Sequence, residues 1–210
     1  MVVGLGNPGA KYARTRHNTG FDVVEILSSQ LRIRLHKLRH RALFGEGVYE
    51  GKKVVLAQPQ TFMNLSGESV SLLIKWYKPS LSNVIVVYDD VDLPPGAVRV
   101  RPSGSSGTHN GMRSVISEIG GTGFPRVRVG IGSSPPGFEL ADWVLSHYET
   151  EQARKVAFDS LLAAAGAVSM IIRENVEASM RAYNQKVKVR EGGDGQGAPP
   201  LGTPLKGQAP

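Results

Sequence analysis

Two histidines and a run of acids fall in polar stretches that could converge. His17 stands in "TRHN", His109 in "GTHNG", and Asp89, Asp90 and Asp92 in "YDDVDLPPG". Asn7, Asn18, Asn64 and Asn110 stand in or beside the same stretches. A histidine can take a proton from water near neutral pH. A carboxylate can hold the imidazole in the right tautomer and stabilise the imidazolium that forms. Amide N–H groups can meet a developing oxyanion without adding a charge beside the base. The set suits hydrolysis by an activated water, with His17 and Asp89 as the candidate pair. Asp89 and Asp90 could equally be turn-formers before Pro94-Pro95. His36, His40 and His147 read as surface or satisfied core residues.

Other chemistries fit less well. Gly4, Gly6 and Gly9 of "GLGNPG" satisfy the spacing of a dinucleotide-binding fingerprint. That fingerprint needs an amphipathic helix opening at its third glycine and an acid ending the next strand. Here the polar, basic "AKYARTRHNTG" follows, and the nearby acids Asp22 and Glu25 fall within a helical period. Pro8-Gly9 reads as a turn, with Asn7 held just beyond a strand end. No G-x-S-x-G elbow and no Walker loop occurs. With no cysteine, a thiol nucleophile and Cys-ligated zinc are excluded. His17, His109 and an Asp could in principle bind a metal, but no close His pair supports one, so no metal is expected.

These loops need strands and helices to hold them. Strand-like runs cover Met1–Leu5, Gly45–Tyr49, Lys53–Ala57, Val84–Tyr88, Val98–Arg101 and Val127–Ile131, the second and third forming a hairpin. Helical periods cover Phe21–Ile33, Leu65–Tyr77, Gly111–Ile119 and one long stretch from about Thr150 to Tyr183. Ser146 with Glu149 fits a capping box ahead of that stretch. The alternation predicts an α/β fold, a three-layer sandwich with a mixed, mainly parallel twisted sheet flanked by helices. Sites in such sheets gather outside the carboxyl ends of the strands, where these loops lie. The folded domain is expected over residues 1–184. Residues 185–210 form a Gly/Pro-rich tail, read as disordered from Glu191 because it has little apolar surface to bury.

Lys plus Arg number 25 against 18 for Asp plus Glu, a net charge of +7, which favours a polyanionic partner. "RIRLHKLRHR", residues 32–41, is dense in charge. Alternation puts Arg99 with Arg101, and Arg126 with Arg128, on common strand faces near the Gly-rich loop, where phosphate contacts are expected. No apolar run of transmembrane length and no signal-peptide order is seen, so a cytoplasmic protein with no membrane contact is expected.

Four stretches, "GLGNPGAKYARTRHNTGF", "QPQTFMNLSG", "VYDDVDLPPG" and "GTHNGMRS", together resemble bacterial peptidyl-tRNA hydrolase, in order, over about Met1–Tyr183. The resemblance implies an α/β monomer without a cofactor. It cleaves the ester joining a peptide to the 3′ ribose of tRNA, so that peptidyl-tRNA, through its acceptor stem and 3′ end, is the partner. It implies that His17 is the general base, Asp89 its orienting partner, and Asn7 the residue separating N-blocked from free aminoacyl substrates. The Asn7 amide offers a donor and an acceptor, suited to a neutral peptide group. Tyr12, Phe62, Asn64 and Asn110 are implied to hold the terminal nucleotide and first peptide units, with Asn64 the first choice as oxyanion donor. Arg101 and Arg128 are implied to clamp a tRNA phosphate. Thr108 stands where many members have glycine. A second class of function is a binding protein: plant-organelle relatives serve intron splicing and lack hydrolase activity. The presence of His17, Asp89, Asn7, Asn64 and Asn110 together favours the enzyme.

Overall fold

The computed structural model describes residues 1–184; the expected tail, 185–210, lies outside the described residues. Within them, β1 (Val2–Gly4), β2 (Lys37–Arg39), β3 (Ala42–Tyr49), β4 (Lys52–Pro59), β5 (Ile85–Asp90), β6 (Val98–Arg101) and β7 (Arg126–Gly130) form one sheet, in the order β2-β3-β4-β1-β5-β7-β6. β4, β1, β5 and β7 run parallel, while β2–β3, β3–β4 and β6–β7 pair antiparallel. The helices are α1 (Thr19–Gln30), α2 (Ser66–Tyr77), α3 (Asn110–Ile119), α4 (Leu140–Leu145), α5 (Glu151–Arg173) and α6 (Val176–Tyr183).

Both faces of the sheet are covered, as the near-continuous apolar strands require. On one face, Val23, Val24 and Leu27 of α1 and Ala164, Ala165 and Val168 of α5 pack on Val2, Leu56, Val87 and Val127. On the other, Val70 of α2 and Met112 and Val115 of α3 pack on Val3, Val86 and Tyr88. The three-layer expectation therefore holds. α5 is long and apolar enough, by length and composition, to cross a membrane. Its small residues are instead buried against the sheet, so much of its apolar face is already used.

Several local expectations change. β2 is an edge strand inside the charge-dense stretch, with all three residues exposed, so it carries no period-two signal. α4 was not expected, and none of its residues is buried. The long helical stretch is two helices: Asn175 interrupts it, its side chain accepting from the Ala178 N–H at 2.8 Å. The capping box is not formed. Thr150 caps α5, accepting from the Ala153 N–H, while Ser146 ends α4 and its hydroxyl donates to Trp143 O. The opening glycines also serve differently. Gly4 meets Gly20 of α1 so closely that a Cβ on Gly4 would lie 2.0 Å from Gly20 O. Only Gly9 takes the left-handed region, at φ 104°. The motif seats α1 on β1, and Thr108 needs no positive φ.

Asp22, in the first turn of α1, is partly buried. Burial chiefly, and then Glu25, push its pKa up to about 7, against the pull of Arg14. An unfolded Asp titrates near ~3.9. Its contribution to stability is thus fully present below about pH 4 and is lost as pH rises through about 7. Asp22→Asn should melt with the wild type near pH 4 and a few degrees higher at pH 8. Thermal melts at the two pH values check this, and an equal offset at both would remove the charge as the cause.

Candidate active site

β1 and β5 lie side by side in the sheet, and their carboxyl ends deliver the two halves of the site. β5 ends in Asp89 and Asp90, and the loop after β1 carries Asn7 and then His17. Asp89, 2% exposed, lies between two imidazoles. His17 Nδ1 is 3.0 Å from both Asp89 oxygens, and His109 Nε2 is 3.1 Å from Oδ1. Burial alone would raise the Asp89 pKa. The imidazoles, by charge and hydrogen bonding, outweigh it and hold the carboxyl below the usual range.

The two histidines are not equivalent. His109 caps α3, and its Nδ1 accepts the Met112 N–H at 3.2 Å. Its proton must then sit on Nε2, where it is donated to Asp89. Both nitrogens are engaged. His17 donates Nδ1–H to the carboxylate, and among the described residues no group bonds to its Nε2. His17 therefore has a lone pair to offer and His109 does not. The ligand atoms of His17, Asp89 and His109 lie within 4.8 Å of one another, a spacing that could hold a metal ion. The same atoms are turned on each other as donor and acceptor, and the His109 tautomer leaves no lone pair for a metal. The donor set fits a hydrogen-bonded relay and not a coordination shell.

Asn7, 6% exposed, is locked to Asn18, the neighbour of His17 in the chain, and is not among the residues that line the cleft. Asn18 accepts the Asn7 N–H at 2.8 Å and donates to Asn7 O at 3.0 Å. Asn7 Oδ1 accepts the Met63 N–H at 2.8 Å. That bond fixes which way the amide faces and leaves the Nδ2 donors without a partner among the described residues. Asn110 is similar: its Oδ1 accepts from Arg113 at 3.1 Å, which also leaves N–H groups to present.

His17, Asp89, His109 and Asn110 line a cleft of about 580 Å³ that also includes Arg101 and Arg128. Asn64 is not in it. It is exposed and lines an adjoining groove of about 300 Å³, joined to the cleft through Asn110. Tyr12 and Phe62 meet edge to face at 6.4 Å between ring centres. The arginines divide. Arg99 pairs across the strands with Arg128, and Arg101 with Arg126, so all four share a sheet face. Arg126 is 1% exposed and binds Gly104 O and Ser105 O, tying down the Gly-rich loop. Arg128 donates Nε–H to Asp90, and Asp90 also accepts the Asp92 N–H, so Asp90 is the turn-former that Asp89 is not. Arg101 is exposed.

The spacing of residues gave no role to Arg16. Its guanidinium lies 3.7 Å from the Trp143 ring centre and 4.6 Å from that of Tyr148. It donates to Ser146 Oγ and His147 O. This fastens α4, whose Leu140, Ala141 and Val144 wall the cleft, to the turn that carries His17. An arginine next to a candidate base was the available cue.

A doubly covered α/β sheet with an imidazole held by a buried carboxylate and open to a cleft has the layout of a hydrolytic enzyme. The chain belongs to the peptidyl-tRNA hydrolase family, whose model matches residues 1–191. It is 46% identical over 184 residues to the peptidyl-tRNA hydrolase of Alkaliphilus metalliredigens, spanning 88% of this chain and 98% of that one. It is 48% identical over 185 residues to that of a Roseiflexus species, spanning 88% and 85%. A crystal structure of peptidyl-tRNA hydrolase from Acinetobacter baumannii superposes with a TM-score of 0.80 at 34% identity, covering 86% of this chain and 91% of that one.

Proposed function

We propose that the protein hydrolyses the ester between the peptide and the 3′ ribose of peptidyl-tRNA, releasing both. The observation that carries the mechanism is the open nitrogen Nε2 of His17, whose Nδ1 is held by Asp89. A water bonded to that nitrogen loses a proton to it and attacks the ester carbonyl. Asp89 stabilises the imidazolium. The oxyanion is met by an amide donor, and Asn110, which lines the cleft with His17, suits this better than Asn64, which lies in the adjoining groove. His17 then returns its proton to the departing 3′ oxygen. Asn7 Nδ2 offers N–H donors to a carbonyl of a blocked peptide, whereas a free ammonium group would meet them donor against donor. Tyr12 offers a face to the terminal base, and Phe62 one to the first peptide units. Arg101 and Arg128 receive phosphate.

The test is N-acetyl-aminoacyl-tRNA incubated without added metal, with free tRNA as the readout. Arg101→Ala should then weaken binding and flatten its salt dependence by roughly one unit of slope or less. Arg128→Ala should cost more, because it also leaves the Asp90 charge uncompensated beside the phosphate. A small ester without tRNA should be cleaved alike by all three proteins. Failure of the wild type to release tRNA would overturn the function, and equal losses on both substrates would overturn the clamp.

A further inference from the structure

The outward side of α2 is apolar where it should not be. Phe62, just before the helix, is 54% exposed, Leu65 is 39%, Leu72 37% and Trp76 55%. At ~100° per residue, positions 65, 72 and 76 fall within about 40° of one another, a stripe interrupted at the buried Ser69, which the β2–β3 turn covers. The stripe starts at the site, since Leu65 lines the groove that Asn110 joins to the cleft. A basic turn borders it. Arg39 lies 4.6 Å from the Trp76 ring centre, and the His40 ring lies 5.2 Å from it. His40 and Arg41 both hold positive φ, 56° and 54°, in the tight β2–β3 turn. That conformation favours Asn-Gly, and a His-Arg pair held there is strained. Arg41 pairs with Glu68 of α2, and Ser69 donates to His40 O, which fixes the turn against the helix.

The direction of the substrate follows from the strand order. The ester lies at β5, and the phosphate-binding arginines lie on β6 and β7, on one side of it. The peptide half leaves the same carbonyl on the other side, over β1, β4 and β3. That is where Phe62 and the stripe lie. From Leu65 to Trp76 is eleven helical steps, or ~16 Å. An extended chain at ~3.3 Å per residue covers this in about five residues.

We propose that the α2 stripe, with the basic turn beside it, binds the peptide half of the substrate beyond its first residues. Apolar side chains lie on Leu65, Leu72 and Trp76, and an acidic one is accommodated at Arg39. The inference deepens the proposed function and rests on its placing of ester and RNA. Two substrates separate the two ideas: N-acetyl-aminoacyl-tRNA, which is too short to reach Leu72, and tRNA bearing an N-acetylated, leucine-containing octapeptide. Trp76→Ser and Leu72→Ser should each lower kcat/KM for the octapeptidyl substrate by about five- to tenfold, through KM, as expected for losing a half-buried apolar contact. Both should leave the short substrate, the affinity for deacylated tRNA and the melting temperature unchanged. Equal effects on both lengths, or no effect on the long one, would overturn the proposal. Weaker binding of deacylated tRNA would overturn it in favour of an RNA surface. If the wild type cleaves neither substrate, the proposed function itself has failed.

Discussion

His17→Ala should lower kcat by about 10²–10⁴-fold, the usual contribution of a positioned general base, while tRNA binding stays near wild type. The informative comparison is His109→Ala. Both imidazoles touch Asp89, and proximity alone would rank them equally. Their second nitrogens separate them. His109 Nδ1 is filled by the Met112 N–H, and His17 Nε2 is open to the cleft. His109→Ala should therefore lose only about tenfold, by loosening the carboxylate. It should also lower the melting temperature, because the α3 cap goes with it. Single-turnover rates for both variants, with tRNA affinity measured alongside, make the comparison. Equal losses would mean that the proton passes through both rings, and a fully active His17→Ala would end the mechanism.

The difference between the two rings marks how far the sequence could be read. The His17–Asp89 pair was legible because Asp89 ends one buried strand, His17 lies in the loop after its parallel neighbour, and adjacent parallel strands bring their ends together. The role of His109 was not. It depends on a tautomer set by the Met112 amide, which exists only once α3 has formed. The same holds for Asn7. Its residue type announced a polar contact, but the Met63 N–H bonded to its Oδ1 decides which way the amide faces. Arg126 and Arg128 look alike in the chain and both line the cleft, but burial makes Arg126 a loop anchor while Arg128 pairs with Asp90. Elements were missed where the apolar period was absent or misleading. β2 is too short and exposed to alternate, and α4 buries none of its six residues. The break before α6 was hidden because Ile171, Val176 and Met180 continue to face the same core across it. Asn175 was its only local cue. Asn64 stands at the start of a helix, which drew attention to it as an oxyanion donor, yet it falls in the turn before α2 and is exposed in the adjoining groove.

Asp89→Asn should be about as damaging as loss of the base, by about 10²–10⁴-fold in kcat, although it changes one atom. The carboxylate accepts from two donors, His17 Nδ1–H and His109 Nε2–H. An amide has one oxygen to offer. If that oxygen takes the place of Oδ1, both bonds can form, but the NH₂ then stands 3.0 Å from His17 Nδ1, donor against donor. His17 relieves this by moving its proton to Nε2, which removes the lone pair that water needs. If the amide is flipped, the NH₂ faces His109 Nε2–H, and His109 cannot yield because its Nδ1 already accepts from Met112. Each orientation thus costs either the working tautomer or a buried hydrogen bond. Imidazole ¹⁵N shifts should show the His17 proton moved from Nδ1 to Nε2. Stability should carry a matching pH signature. The folded pKa of Asp89 is depressed, so its contribution is present above an unfolded value near ~3.9 and is lost as pH falls through the lower folded one. The melting-temperature deficit of Asp89→Asn should accordingly be full at neutral pH and shrink toward strong acid. A variant that kept near-wild-type turnover with the His17 proton still on Nδ1 would show that the carboxylate charge plays no part in catalysis.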